Sequence, residues 1–246
     1  MASPLSQFEI KTLVPLEAFG YDISFTNSSL AMLLTVLLTI TFLLWGLKKS
    51  SIIPDKSQSL VEVSYEFIAN MISDNVGKEG IKYLSFVFSL FMFILLGNLL
   101  GMLPYSFTWT SHIIVTFAIS FFIFILVTFI AIAKHGLIKF LRFFAPSGVP
   151  KAMLILLVPI EIISYLSRPI SLSVRLFANM MAGHTLLKVI GGFVFVLGAN
   201  SFIIGGALPV AFLVALTGLE IVIAFLQAYV FAILTCLYIN DAIHLH

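Results

Sequence analysis

Residues 152–197 read AMLILLVPIEIISYLSRPISLSVRLFANMMAGHTLLKVIGGFVFVL, and their reading decides the fold class. No loop-like polar cluster divides the run. As one helix rising 1.5 Å per residue it would be roughly 70 Å long, more than twice the ~30 Å hydrocarbon core of a bilayer. The stretch 207–239 behaves the same way and would span about 50 Å. Pro159 and Pro169 allow kinks in the first run. Both are therefore expected as a long, strongly tilted helical hairpin, turning at Gly198–Gly206.

The remainder of the chain agrees with a membrane setting. Of its 246 residues 61% are hydrophobic and 10% charged, with a mean hydropathy of +1.14. A soluble domain is about 45–50% apolar and about 25% charged, so this chain could not cover its own surface in water. Further spans are expected at 30–47, closed by Lys48-Lys49, at 83–103, closed by Pro104, and at 112–133. Residues 55–78 mix charge with Leu60, Val63, Phe67 and Met71 at helical spacing, which predicts an amphipathic helix lying at the surface. The expected architecture is an all-α membrane protein with five membrane helices and one surface helix. Residues 1–29 form an arm and residues 30–246 a single membrane domain. Glu9, Glu17 and Asp22 read as solvated parts of that arm, and the mixed polar character of residues 1–29 leads to the expectation of no signal peptide there. The net charge of +2 does not point to nucleic acid. Cys236, the lone cysteine, cannot form an intramolecular disulfide.

With five crossings, the connections 48–82 and 134–151 and the C-terminus share one side. That side carries Lys48, Lys49, Lys56, Lys78, Lys82, Lys134, Lys139, Arg142 and Lys151, whereas the opposite side carries Lys11 alone. Basic residues stay on the cytoplasmic side. The N-terminus is expected outside and the C-terminus inside.

Charge within the spans is the informative feature, because each such residue costs ~2.5–3.5 kcal/mol at mid-membrane. Glu161, Arg168 and Arg175 recur every seven residues and share one helical stripe. Asn179 follows one turn later, and His184 falls on the other side of the helix. In the last stretch Glu220, Gln227 and Tyr238 form a second polar stripe. Counted from the outer turn, His184 and Glu220 lie at similar depth, as do Arg175 and Gln227. An acid–imidazole pair is thus expected on the outer side and an acid, Glu161, toward the inner side. Between them stands an arginine, which does not release its proton in a protein. This arrangement amounts to two proton paths with an electrostatic barrier between them. Blander roles stand beside this reading: a Glu–Arg pair can merely join helices, Lys188 can snorkel, Arg168 beside Pro169 can be structural, and His112 can be interfacial. No Gly-rich nucleotide loop, metal-ligand cluster or nucleophile triad is present in the sequence, so no cofactor, metal or directly bound nucleotide is expected. Nor is there a visible internal repeat, which argues against a two-halved secondary transporter. A passive channel would conduct as the purified chain alone.

The run from Ser167-Arg168-Pro169 through Arg175-Leu176-Phe177-Ala178-Asn179 to Gly183-His184 closely resembles subunit a of the F-type ATP synthase. So do Leu226-Gln227-Ala228-Tyr229 through Tyr238-Ile239-Asn240-Asp241-Ala242, the segment Gly97-Asn98-Leu99-Leu100-Gly101-Met102-Leu103-Pro104-Tyr105, and Thr110-Ser111-His112. The resemblance covers nearly the whole chain. It implies a non-catalytic stator subunit in which two offset half-channels load and unload the carboxylates of a rotating c-ring, coupling proton flow to ATP synthesis. The family's essential arginine falls on Arg175, its neighbouring polar positions on Asn179, Gln227 and Tyr238, and its inner glutamate on Glu161. The outer path would use Asn98, His112, His184 and Glu220. Some bacterial members exchange the residue types at His184 and Glu220, which implies that the two side chains meet. The implied partners are the c-ring, the peripheral-stalk b subunits and the bilayer. The ends of the chain look alphaproteobacterial or mitochondrial, giving a bacterial cytoplasmic membrane as the expected location, with the mitochondrial inner membrane as the alternative.

Overall fold

The computed structural model describes residues 8–18, 20–22, 24–48, 51–103, 106–144, 151–200 and 204–244. Among these lie seven α-helices: α1 (Asn27–Leu47), α2 (Lys56–Val76), α3 (Leu84–Gly101), α4 (Ile113–His135), α5 (Leu137–Phe143), α6 (Lys151–Asn200) and α7 (Ile204–Ile243). Five of them, α1, α3, α4, α6 and α7, are long and apolar enough to cross a membrane. The all-α membrane architecture is as expected, including the long C-terminal pair. α6 has 50 residues and α7 has 40. Their lengths of about 75 and 60 Å cannot stand upright within a ~30 Å hydrocarbon layer. α6 continues through Pro159 and Pro169 as one helix. Of the turn expected at Gly198–Gly206, residues 201–203 lie outside the described residues, as does Pro104.

The helices satisfy their own polar side chains. Thr26 Oγ1 caps α1 by accepting the Ser29 amide at 3.3 Å. Thr35, Thr39 and Thr41 donate to carbonyls one turn earlier at 2.7–2.8 Å, which keeps hydroxyls satisfied within an apolar helix. α7 carries Ala224, Ala228, Ala232 and Cys236 at four-residue spacing, each with 0% of its surface exposed. Lipid tails give no hydrophobic drive for helix association, so close approach at small residues is what holds such helices together. Around this seam pack Val87, Phe91 and Ile94 of α3, Ile123 and Val127 of α4, and Leu172 and Leu176 of α6. Trp109, in the tight turn before α4, joins α3 to α1: it stacks on Phe93 and donates its indole N–H to Thr35 Oγ1 at 3.1 Å.

Three details differ from the sequence reading. The inward face of α2 is Val61, Ile68, Met71, Ile72 and Val76, while Leu60 and Val63 are exposed. The helix packs against α1, α3 and α7, and Phe67 joins Phe91, Phe225 and Tyr229 in an aromatic cluster. A helix contacted by three others has its face set by them rather than by its own apolar stripe. Second, the connection 134–151 contains α5, entered through Gly136 at φ +82, a backbone conformation suited to glycine. Third, the arm holds two small antiparallel ladders, Thr12–Val14 with Phe25–Thr26 and Glu17–Ala18 with Tyr21–Asp22. Asn27 ties them to α1 by accepting the Lys11 amide at 3.1 Å and donating to the Glu9 carbonyl at 3.0 Å.

The grouping of connections has a physical counterpart. Lys134, at the end of α4, pairs with Glu79 before α3. His135 Nε2 donates to the Ile243 carbonyl at 3.0 Å. The basic connections and the end of α7 thus share one end of the bundle.

A Cβ added to Gly97 would stand 2.4 Å from the Trp109 ring. Overpacking of this kind costs roughly 1–3 kcal/mol. Gly97→Val is expected to lower the thermal unfolding temperature of the purified chain, whereas substitution at the exposed Leu60 should leave it nearly unchanged.

Candidate functional site

The polar residues of α7 meet α6 in opposite chain order, as antiparallel helices require. Glu220 lies against Gly183, where an added Cβ would come within 2.4 Å of Glu220 Oε1. Gln227 is buried and donates its side-chain N–H to the Arg175 carbonyl at 3.4 Å. Tyr238 packs over the guanidinium of Arg168, 5.1 Å from ring centroid to Cζ. The depth relations expected from residue counting therefore appear as contacts: Arg175 is level with Gln227, and Glu220 is level with the residue preceding His184.

The end of the bundle beside the arm and the 106–112 connection collects polar atoms. His184 Nε2 lies 3.3 Å from Thr108 Oγ1, and that hydroxyl also approaches the Gly101 carbonyl at 3.1 Å. Asn98 is fully buried on α3 and donates to the Ala224 carbonyl of α7 at 3.4 Å. His112 stacks on Phe107. The buried atoms Asn98 Oδ1, Thr110 Oγ1, His112 Nε2 and both carboxylate oxygens of Glu220 have no hydrogen-bond partner among the described residues. His184 and Glu220 are thus neighbours but share no hydrogen bond: His184 turns to Thr108, while Glu220 sits in the space left by the missing side chain of Gly183.

The Glu161–Arg168–Arg175 stripe divides. Arg168 turns inward, binds Asp241 at 2.9 Å and lies between the rings of Tyr165 and Tyr238. Arg175 is exposed on the flank of α6, with Asn179 one turn away on the same face. Its guanidinium has no hydrogen bond or ion pair among the described residues. A seven-residue step falls short of two helical turns by about 20°, so consecutive members of the stripe meet different surroundings. Glu161 is half-buried two turns before Arg168, about 20 Å along the helix from Arg175. Thr108, Tyr165, Gly183 and Asp241 were not singled out by sequence reasoning. Asp241 carried a usable signal, an acid near the end of an apolar helix; the other three needed the neighbouring helices to be placed.

Charged and amide side chains held at matched levels between two overlong apolar helices define a polytopic membrane protein with polar groups in its interior. The family model described as ATP synthase A chain matches residues 29–240. A protein of Pelagibacter ubique named ATP synthase subunit a is 58% identical over 245 residues, covering 99% of this chain and 98% of its own length. Proteins of the same name from Paramagnetospirillum magneticum and Rhodospirillum rubrum are each 56% identical, with both chains fully covered. The chain belongs to the ATP synthase A chain family, as the motifs around Arg175 and Gln227 implied.

The Arg168–Asp241 contact ties the end of α7 to the middle of α6. Charge-assisted hydrogen bonds contribute about 1.5–3 kcal/mol when well shielded, and the partial exposure of Asp241 places this one at the lower end. Asp241→Ala and Arg168→Ala should each lower thermal stability. The double variant should be little worse than either single one, a double-mutant cycle that isolates the coupling.

Proposed function

We propose that this chain is the stator part of the membrane motor of an F-type ATP synthase, in which two offset half-channels deliver protons to and collect them from a ring of rotor carboxylates. The observation that carries the reading is Arg175: a fixed positive charge, far from either end of a membrane helix, exposed and unpaired among the described residues. A charge left facing hydrocarbon costs ~2.5–3.5 kcal/mol. A carboxylate presented by another subunit would remove that cost. The face around Arg175 suits such a visitor, because Ser171, Ala178 and Ala182 are small and exposed, and small residues let a second helix come close.

On this reading the outer path runs through Asn98, His112, His184 and Glu220. A buried polar group without a partner costs about 1–3 kcal/mol, so the unpartnered atoms of Asn98, His112 and Glu220 favour water or transferable protons there. Glu161 receives protons on the inner side. Asn179 and Gln227 hold the surroundings of Arg175, and Tyr238 acts through Arg168. Arg175 attracts each deprotonated rotor carboxylate and separates the two paths, carrying no proton itself. A proton crossing the membrane potential supplies ~2.3 kcal/mol per 100 mV. The lysine-rich end faces the cytoplasm, the arm lies outside, and peripheral-stalk b subunits hold the chain against the ring in a bacterial cytoplasmic membrane.

In vesicles bearing the assembled complex, Arg175→Ala should abolish proton-driven ATP synthesis; an unchanged rate would sink the assignment. His184→Glu and Glu220→His should each slow proton flux, on the order of 10²-fold where a proton-transfer group is lost. The two together should recover part of it. Absence of any rescue would argue that the neighbours do not act as one unit.

A further inference from the structure

A cleft opens at the basic end of the bundle, between the segment just before α3 and the end of α4, with the last residue of α7 beside it. Its volume is about 370 Å³, and Glu79, Lys82, Tyr83, Phe129, Lys134 and Ile243 are among its lining residues. Ligand sites typically run ≈ 300–1,000 Å³, so a phosphate-containing headgroup fits. None of these residues belongs to the proton path. We propose that this cleft binds the headgroup of an anionic phospholipid.

Two observations select that occupant. The first is charge. Lys82 and Lys134 both line the cleft, and Glu79 pairs with Lys134, which leaves one net positive charge, from Lys82. Basic pockets between membrane helices on the cytoplasmic side attract anionic headgroups. The half-buried Tyr83 stands at the same level, with a phenol able to donate to a phosphate oxygen. The second is the apolar track leading away from the charges. Phe122, Ile125 and Phe129 are 58%, 52% and 71% exposed and follow one another along a single face of α4. A phospholipid uses both parts, its phosphate at the lysines and an acyl chain along that track. A free anion would use only the first.

Intact-mass measurement of the full purified chain, equilibrated with phosphatidylglycerol or phosphatidylcholine of identical acyl chains, tests the proposal. One uncompensated lysine near the surface is worth about fivefold in affinity for an anionic lipid, and phosphatidylglycerol should be retained over phosphatidylcholine by that factor. Lys82→Gln should remove the preference. Glu79→Gln, which releases Lys134, should raise it by a similar factor. The opposite signs distinguish a headgroup site from general damage to the fold. Phe129→Ala should weaken retention of both lipids while leaving their ratio unchanged. Equal retention of the two lipids by the unaltered chain, or a preference untouched by both charge variants, would overturn the proposal. So would displacement of the lipid by excess inorganic phosphate, which would mark a free-anion site instead. ATP synthesis by the complex is not part of this readout, so the result stands or falls apart from the proton-path reading.

Discussion

The close antiparallel packing of α6 on α7 is the constraint on which the other features depend. In a medium that solvates no charge, each polar side chain on these helices must find a partner, reach water or face another subunit. Packing sorts them. Gln227 is held on the Arg175 carbonyl, Glu220 is folded against Gly183, and Arg168 is taken between two tyrosines and Asp241. The Arg175 side chain is left on the outer flank. Were the helices shifted by one turn, about 5.4 Å, these assignments would change together.

That register is held from several sides. The alanine and cysteine seam of α7 sets how closely its neighbours approach, and Asn98 of α3 reaches the α7 backbone at Ala224. Ala224 lies one turn from Glu220, so α3 bears directly on the Glu220 end of the site. Trp109 carries the linkage on to α1 through Thr35. At the basic end, His135 and the Ile243 carbonyl join α4 to the end of α7. Helices outside the α6–α7 pair therefore help to position the side chains on it, and a bulky residue at Gly97 would be felt at a distance.

The two ends of the bundle differ in chemistry. One gathers buried oxygens and the His112 ring nitrogen without partners among the described residues, an arrangement that is costly unless the space is polar. The other carries exposed lysines over a cleft and an apolar track. On the proposed roles, proton exchange and lipid contact make different demands, since one needs groups that gain and lose protons and the other needs lasting positive charge. His112, His184 and Glu220 occupy the first region, Lys82 and Lys134 the second.

Much of this was legible in the chain itself. The five spans, the overlong pair and the two polar stripes follow from the rise and period of a helix, which are the same in every context. The matched depths of Gln227 with Arg175 and of Glu220 with the neighbourhood of His184 came from counting residues back from one turn. The family came from runs of residues around Arg175 and Gln227. What a helix touches lay outside such reasoning, because a neighbour arrives from elsewhere in the chain. Only the tertiary structure decided that α2 turns Val61 and Ile68 inward rather than Leu60 and Val63, and that His184 binds Thr108 rather than Glu220. It alone divided a stripe of three charges, giving Arg168 to Asp241 and leaving Arg175 exposed. Helical geometry fixes where a side chain begins, whereas in a medium without water the available partners decide where its charge ends.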